Sequence, residues 1–238
     1  MLSGLGCLFI STTYAQTVSS EQNENDYYKT AELQHKYSDL LINGPLYYQP
    51  RPLAATSPFL ITSGFKNGTI FIGGLSFENR QVNYDLVTQC LVLELTMENG
   101  ARYTIQLSEA LVDSFSIDRR LFVNTRHLAN NLTIPYAEAI NGGKTRMILT
   151  YKKEFIKQFN NNTPNGKFSS DNRAMYLTSN NTATRIRSKK SFLRSLGEYR
   201  KPVGDYLRKN KIRFMKASPD QFKIIMGIAN SSKGKMNE

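Results

Sequence analysis

Histidine is the ordinary general base at neutral pH, and this sequence has two, His35 and His127. Neither stands in a pattern that would arm it. His127 lies in Asn124-Thr125-Arg126-His127-Leu128, a loop-like stretch with Ser114 and Asp118 upstream. No Gly-x-Ser-x-Gly elbow, His-Glu-x-x-His motif or Cys-His pairing accompanies it. A structural histidine, on the surface or half-buried, is the simpler reading. Two histidines and two isolated cysteines, Cys7 and Cys90, do not supply the usual four-ligand zinc set, so no metal is expected. The phosphate-cradling loops Gly-x-x-x-x-Gly-Lys-Ser/Thr and Gly-x-Gly-x-x-Gly are also missing, so no nucleotide cofactor is expected. Carboxylates remain, since a glycosidase needs only an acid and a base at a set separation. Asp85, Glu94, Glu98, Glu109 and Asp113 all fall in strand-like sequence, but spacing singles out no pair. Asp85 follows Tyr84 at a strand end, where turn formation explains an aspartate without catalysis. No catalytic residue is therefore assigned.

The better-defined constellation is cationic. Residues 1–140 carry nine Lys+Arg against thirteen Asp+Glu, whereas residues 141–238 carry twenty-two against six. The net charges of −4 and +16 sum to the +12 of the chain. Residues 185–216 hold twelve cations: Arg185, Arg187, Lys189, Lys190, Arg194, Arg200, Lys201, Arg208, Lys209, Lys211, Arg213 and Lys216. Only Glu198 and Asp205 oppose them. A charge run is usually a solvated face that keeps a domain soluble. The functional reading is attraction to a polyanion, with Arg185, Arg187, Lys189, Lys190, Arg194, Arg200, Lys201, Arg208 and Lys209 as the contact residues.

The compartment decides which polyanions are within reach. Met1–Ile10 is apolar and uncharged, and Thr13-Tyr14-Ala15 ahead of Gln16 has the small-x-small form that a signal peptidase reads. Residues 1–15 are expected to be a cleaved signal, although the first lysine comes only at Lys29. A buried N-terminal strand is the plain alternative. Leu5-Gly6-Cys7 offers a lipoprotein reading through Cys7, but too few residues precede it for a complete apolar segment. The run is also too short to span a bilayer, which takes about 20 residues. Cleavage would leave Cys90 as the sole thiol, so no internal disulfide is possible, and its strand-like setting suggests a buried core residue. Export to the periplasm or envelope removes nucleic acid as a partner, and no nucleic-acid motif is present. Anionic lipid, lipopolysaccharide or an acidic protein surface remain.

The elements that must carry these residues follow from periodicity. Residues 16–44 read as a polar leader and a helix from Asp26 to about Ile42, with Leu33, Tyr37, Leu40 and Leu41 on one face and a stop at Gly44-Pro45. Residues 45–58 hold four prolines and form an irregular connection. Period-two sequence follows. Strands are expected at Thr69–Ile72 and Leu75–Tyr84, the latter with a bulge, joined by Gly73-Gly74. Others are expected at Cys90–Met97 and Arg102–Leu107, joined by Glu98-Asn99-Gly100. A further pair falls around Phe115-Ser116-Ile117 and Leu121-Phe122, and later strands at Thr145–Lys152, Arg173–Thr178 and Ala183–Arg187, with a polar loop over 160–170. Helices are expected after Ser188, from Lys201-Pro202 and after Ser218, where Ser-Pro-Asp-Gln is a capping box. Their apolar residues share faces, so the cations should point outward. The chain thus reads as α+β. An antiparallel β-sheet or half-open barrel over 45–187 carries two or three short C-terminal helices over 188–229, and 230–238 is a disordered tail.

The segment Gly68-Thr69-Ile70-Phe71-Ile72-Gly73-Gly74-Leu75-Ser76-Phe77 through Tyr84-Asp85 resembles a strand–turn–strand pattern of uncharacterised exported β-rich proteins of Gram-negative, Bacteroidota-type bacteria. Phe115-Ser116-Ile117, Phe122, Tyr176-Leu177, Lys189-Lys190-Ser191-Phe192-Leu193 and Val203–Lys211 are similar to its later elements. The resemblance spans about residues 44–228. It implies export and a β-rich domain with C-terminal helices, and it implies no activity. The expected function is that of a non-enzymatic envelope protein with a binding or structural role. Two alternatives stay open: a carboxylate-based hydrolase of envelope polymers, and a small-ligand carrier using a barrel interior.

Overall fold

The computed structural model describes residues 39, 41, 42, 44–97, 99–140 and 146–231. The chain divides into a unit of residues 1–43 and one of residues 44–238. In the first, Asp39, Leu41 and Ile42 are helical, where the sequence pattern ends its N-terminal helix. The expected signal, leader and most of that helix lie outside the described residues.

The second unit is built on twelve strands: β1 Lys66–Ile72, β2 Leu75–Asp85, β3 Cys90–Thr96, β4 Arg102–Gln106, β5 Ser114–Ile117, β6 Arg120–Asn124, β7 Tyr136–Ala139, β8 Arg146–Lys152, β9 Phe155–Ile156, β10 Lys167–Phe168, β11 Asn172–Ser179 and β12 Thr182–Ile186. Three helices follow: α1 Lys189–Ser195, α2 Arg200–Lys209 and α3 Pro219–Ser231. The fold is α+β. Ten strands form one antiparallel sheet in the order β12-β11-β8-β7-β6-β5-β1-β2-β3-β4, with β9 and β10 paired apart. The sheet does not close into a barrel; β12 and β4 are its edges.

Turn chemistry explains the meander. Gly73 and Gly74 both have positive φ (55° and 84°), as the tight β1–β2 hairpin requires. Asn99-Gly100 turns β3 into β4, with Gly100 at φ 82° and the Met97 N–H bonded to the Ala101 carbonyl. Asp118-Arg119 and Asn180-Asn181 take the same left-handed pair of conformations between β5 and β6 and between β11 and β12. The bulge expected in the second strand is present. Gly68 faces Arg80 and Ile70 faces Phe77, so Glu78 and Asn79 together oppose Thr69. Asn79 takes up the extra residue at φ 55°.

Alternation sorts the side chains onto two faces. Tyr84, Phe115, Phe122 and Tyr136 are fully buried together on one of them. Phe115 stacks on Phe122 at 5.0 Å between ring centroids, and Tyr136 meets Phe115 edge-on at 5.1 Å. Leu128, Ala137 and Ile148 pack with Val123, Leu132 and Tyr176 on the other. The helices add their own apolar stripes. Phe192 of α1 stacks at 4.6 Å on Phe214, which meets Phe222 of α3 edge-on at 5.3 Å. Ser188 caps α1 by accepting the Ser191 N–H. Ser218 and Gln221 form the expected capping box on α3, each side chain taking the other's N–H. Gly197, at φ 58°, ends the first helical segment.

Four elements differ from the sequence pattern. β7 and β9 were not signalled, and β10 falls in the stretch expected to be a loop. Helix α3 continues through Asn230 and Ser231, into the expected tail; residues 232–238 lie outside the described residues.

Candidate functional site: a cationic groove between helices

The turn at Gly197 folds α2 back against α1 and leaves a groove of about 810 Å³ between them. Its floor is apolar: Leu207 is buried, and Leu193 and Ile212 are half-buried. Gly204 sits inside α2, where glycine costs about 1 kcal/mol relative to alanine. Its missing side chain faces Leu193, since a Cβ built there would lie 3.8 Å from the Leu193 Cδ1. The rim carries Lys189, Arg200, Lys201, Arg208 and Lys211 against Glu198 and Asp205. Asp205 is engaged by Arg208 at 2.9 Å. Lys189, Arg200, Lys201 and Lys211 make no ion pair among the described residues, and with Glu198 also on the rim the lining keeps a net charge of +3 beside an apolar strip.

The placement of these cations does not serve the helices. Lys189-Lys190 and Arg200-Lys201 occupy the first turns of α1 and α2, which contain no acidic residue. A cation there opposes the helix dipole and costs about 0.3–1 kcal/mol. Of the nine residues expected to contact a polyanion, Lys189, Arg200, Lys201 and Arg208 line the groove. Arg185 on β12, Arg187, Lys190 and Arg194 of α1 and Lys209 of α2 are exposed but do not line it. Lys211 does, although it lies past the end of α2. The cations point outward as expected; five of the nine lie on the open surface and four border the shallow depression between α1 and α2.

The other chemistry-bearing residues have structural partners. His127 does find a carboxylate: its Nε2 lies 3.1 Å from Asp113 Oδ1, which also accepts from Arg126 Nη2 at 2.8 Å. Gly73 N–H donates to the second Asp113 oxygen at 2.7 Å. Burial raises the Asp113 pKa, but the Gly73 N–H, Arg126 and His127 outweigh it and hold the carboxyl below its ordinary value. No nucleophilic hydroxyl or thiol joins the pair among the described hydrogen bonds. Asp85 is buried and accepts the Val87 and Thr88 N–H groups and the Tyr47 hydroxyl, so its turn role is direct. Glu94 faces Arg102 at 3.8 Å. Glu98 lies outside the described residues. Burial pushes the Cys90 thiol up to about 11, which leaves it protonated and unreactive at neutral pH. Among the described residues, no cluster of three His, Cys, Asp or Glu could hold a metal, and no helix is long and apolar enough to cross a membrane.

The groove therefore offers electrostatic and apolar contact together. No family model, curated protein or solved structure matches this chain.

Proposed function

We propose that this is an exported, non-enzymatic protein of the cell envelope that holds phosphate-bearing lipid head groups in the groove between α1 and α2. One observation carries the reading. Five cations against two carboxylates give the groove around the strip of Leu193, Leu207 and Ile212 a net charge of +3. A soluble acidic polymer has no use for that strip, whereas an anionic amphiphile matches both parts. The apolar N-terminal run and the resemblance to exported β-rich proteins support the compartment. The open sheet offers no barrel lumen, which favours surface binding over a carrier.

Vesicle co-sedimentation tests the proposal. The chain should pellet with vesicles of phosphatidylcholine plus phosphatidylglycerol and not with phosphatidylcholine alone. Retention should disappear at about 1 M salt, where the Debye length falls to about 3 Å. A cation near an anionic surface contributes about 1 kcal/mol. Changing Lys189, Arg200, Lys201 and Lys211 together to Gln should thus weaken binding on the order of 100-fold or more. Unchanged retention of that variant refutes the groove as the contact surface.

A further inference from the structure

A second concave site lies where the β5–β6 turn, the entry to β11 and the start of α3 meet, and it is built around a buried ion pair. The Glu138 side chain on β7 is 2% exposed. Arg120 donates to it twice, from Nε at 3.0 Å and from Nη2 at 2.9 Å, and the Tyr151 hydroxyl donates at 2.6 Å. Such a pair gains little net stability over apolar residues of the same size, because both charges lose their hydration. What it does achieve is orientation. The Arg120 guanidinium is fixed by Glu138 and by the rings of Phe122 and Tyr151, 5.2 and 5.0 Å away.

Arg173 is held in a similar way. It is the cross-strand partner of Tyr151. Its Nη1 and Nη2 donate to the Ala217 and Met215 carbonyls at 2.7 and 2.8 Å, and it lies over the Phe222 ring at 5.5 Å. Burial and Glu138 push the Tyr151 pKa up, and the Arg120 and Arg173 charges pull it down. Around them, Asp118 and Arg119 occupy the turn at φ 50° and 60°, and neither side chain has a partner among the described residues. Asp171 stands 3.4 Å from Lys153, and Asp220 pairs with Lys223 at 3.0 Å.

Arg119, Arg120, Arg173 and Lys223 thus line a cleft of about 600 Å³ together with Asp118, Asp171 and Asp220. That volume is in the range of small-molecule sites, about 300–1,000 Å³. Neither sign dominates, so a polyanion would meet repulsion as well as attraction. A ligand carrying both signs would not. We propose that this cleft binds a small zwitterion of the amino-acid or short-peptide class, its carboxylate on the arginines and its ammonium on Asp118 and Asp171. Arg119 is unpaired among the described residues, and Arg120 and Arg173 keep N–H groups beyond those given to Glu138 and to the Ala217 and Met215 carbonyls, so donors for a carboxylate remain on side chains that lose little freedom on binding. The assignment is independent of the lipid groove.

The test is an NMR titration of the full chain with L-alanyl-L-alanine, its C-terminal amide and its N-acetyl form. The free dipeptide should bind saturably and shift resonances at Arg119, Tyr151 and Asp171. Each blocked form should bind at least tenfold more weakly. Arg119→Gln and Asp118→Asn should lose at least tenfold for the free dipeptide while their spectra stay native. Both residues are in an exposed turn, and asparagine tolerates the left-handed conformation at position 118. Equal binding of all three forms, no saturable shift, or unchanged affinity of both variants overturns the proposal. So does saturable binding of inorganic phosphate alone.

Discussion

Glu138 shows how one residue can be locally unfavourable and still be retained. Its carboxylate is out of water and survives there because three donors, two from Arg120 and one from Tyr151, replace its hydration. Removing one partner leaves the other buried and unpaired. Glu138→Gln is expected to cost about 3–5 kcal/mol in chemical denaturation. Replacing Arg120 and Glu138 together with leucines should restore most of that loss, because the uncompensated charge is gone. A double variant as unstable as the single one would show that the pair itself stabilises the fold. Asp113 makes a different, pH-dependent contribution. Its carboxyl pKa is lower in the folded chain than the ordinary 3.8, against the effect of burial, because Gly73, Arg126 and His127 favour the charged form. The stabilisation is therefore fully present above the unfolded value and is lost as pH falls through the lower folded one. Asp113→Asn should be less stable than the parent at pH about 6, and the gap should narrow toward pH about 2 in denaturation midpoints. A gap independent of pH would place the effect in packing instead.

At the level of elements, what the sequence announces is what depends on local chemistry. Gly73-Gly74 and Asn99-Gly100 announce hairpins because few residue pairs tolerate their φ angles. Ser188 and Ser218 announce helix starts because a side-chain oxygen must take an orphaned N–H. β7 gives no such signal. Tyr136-Ala137-Glu138-Ala139 has neither β-branched residues nor a solvent face, and it becomes a strand because β6 and β8 pair with it from both sides. β9 and β10, of two residues each, are too short to register as a pattern. The cationic residues were legible because a charge count survives any fold. The grouping of four of them around a shallow groove was not, since it depends on Gly197 turning the chain and on Gly204 facing Leu193. The zwitterion cleft was invisible for the same reason, as it gathers residues 118–120, 151, 171, 173, 219, 220 and 223. Tertiary closeness also sets the demand at Gly68. A Cβ there would lie 2.3 Å from the Ser116 carbonyl oxygen on β5 and 2.6 Å from Val82 on β2. Backbone on one side cannot yield, so Gly68→Ala should destabilise the domain by about 1–3 kcal/mol in thermal or chemical unfolding. A neutral result would mean that β1 shifts freely between its two neighbours.

For the whole molecule, the decisive fact is that ten strands make an open sheet. An open sheet has two edges, each a row of N–H and C=O groups that another copy could extend. Both edges here are occupied from within the chain. Along β4, Gln106 N–H bonds to the Pro45 carbonyl and Tyr47 N–H to the Thr104 carbonyl, so residues 45–47 lie on it like a short extra strand. Prolines at 45, 50 and 52 prevent that segment from extending the ladder further. Along β12 the cover is a single side chain. Asn131 donates from Nδ2 to the Ala183 carbonyl and accepts the Ala183 N–H on Oδ1, both at 2.9 Å. One amide thus does for Ala183 what a neighbouring strand would do. Asn131→Ala exposes both groups and loses two hydrogen bonds, about 1–3 kcal/mol together. The larger consequence is for assembly. The variant should associate in sedimentation velocity at concentrations where the parent chain does not, with the oligomer growing through β12. Adding Ala183→Pro, which removes the freed N–H, should suppress that association. If Asn131→Ala sediments as the parent does, the exposed Arg185 and the helices that follow β12 suffice to guard the edge, and Asn131 only shapes its own loop.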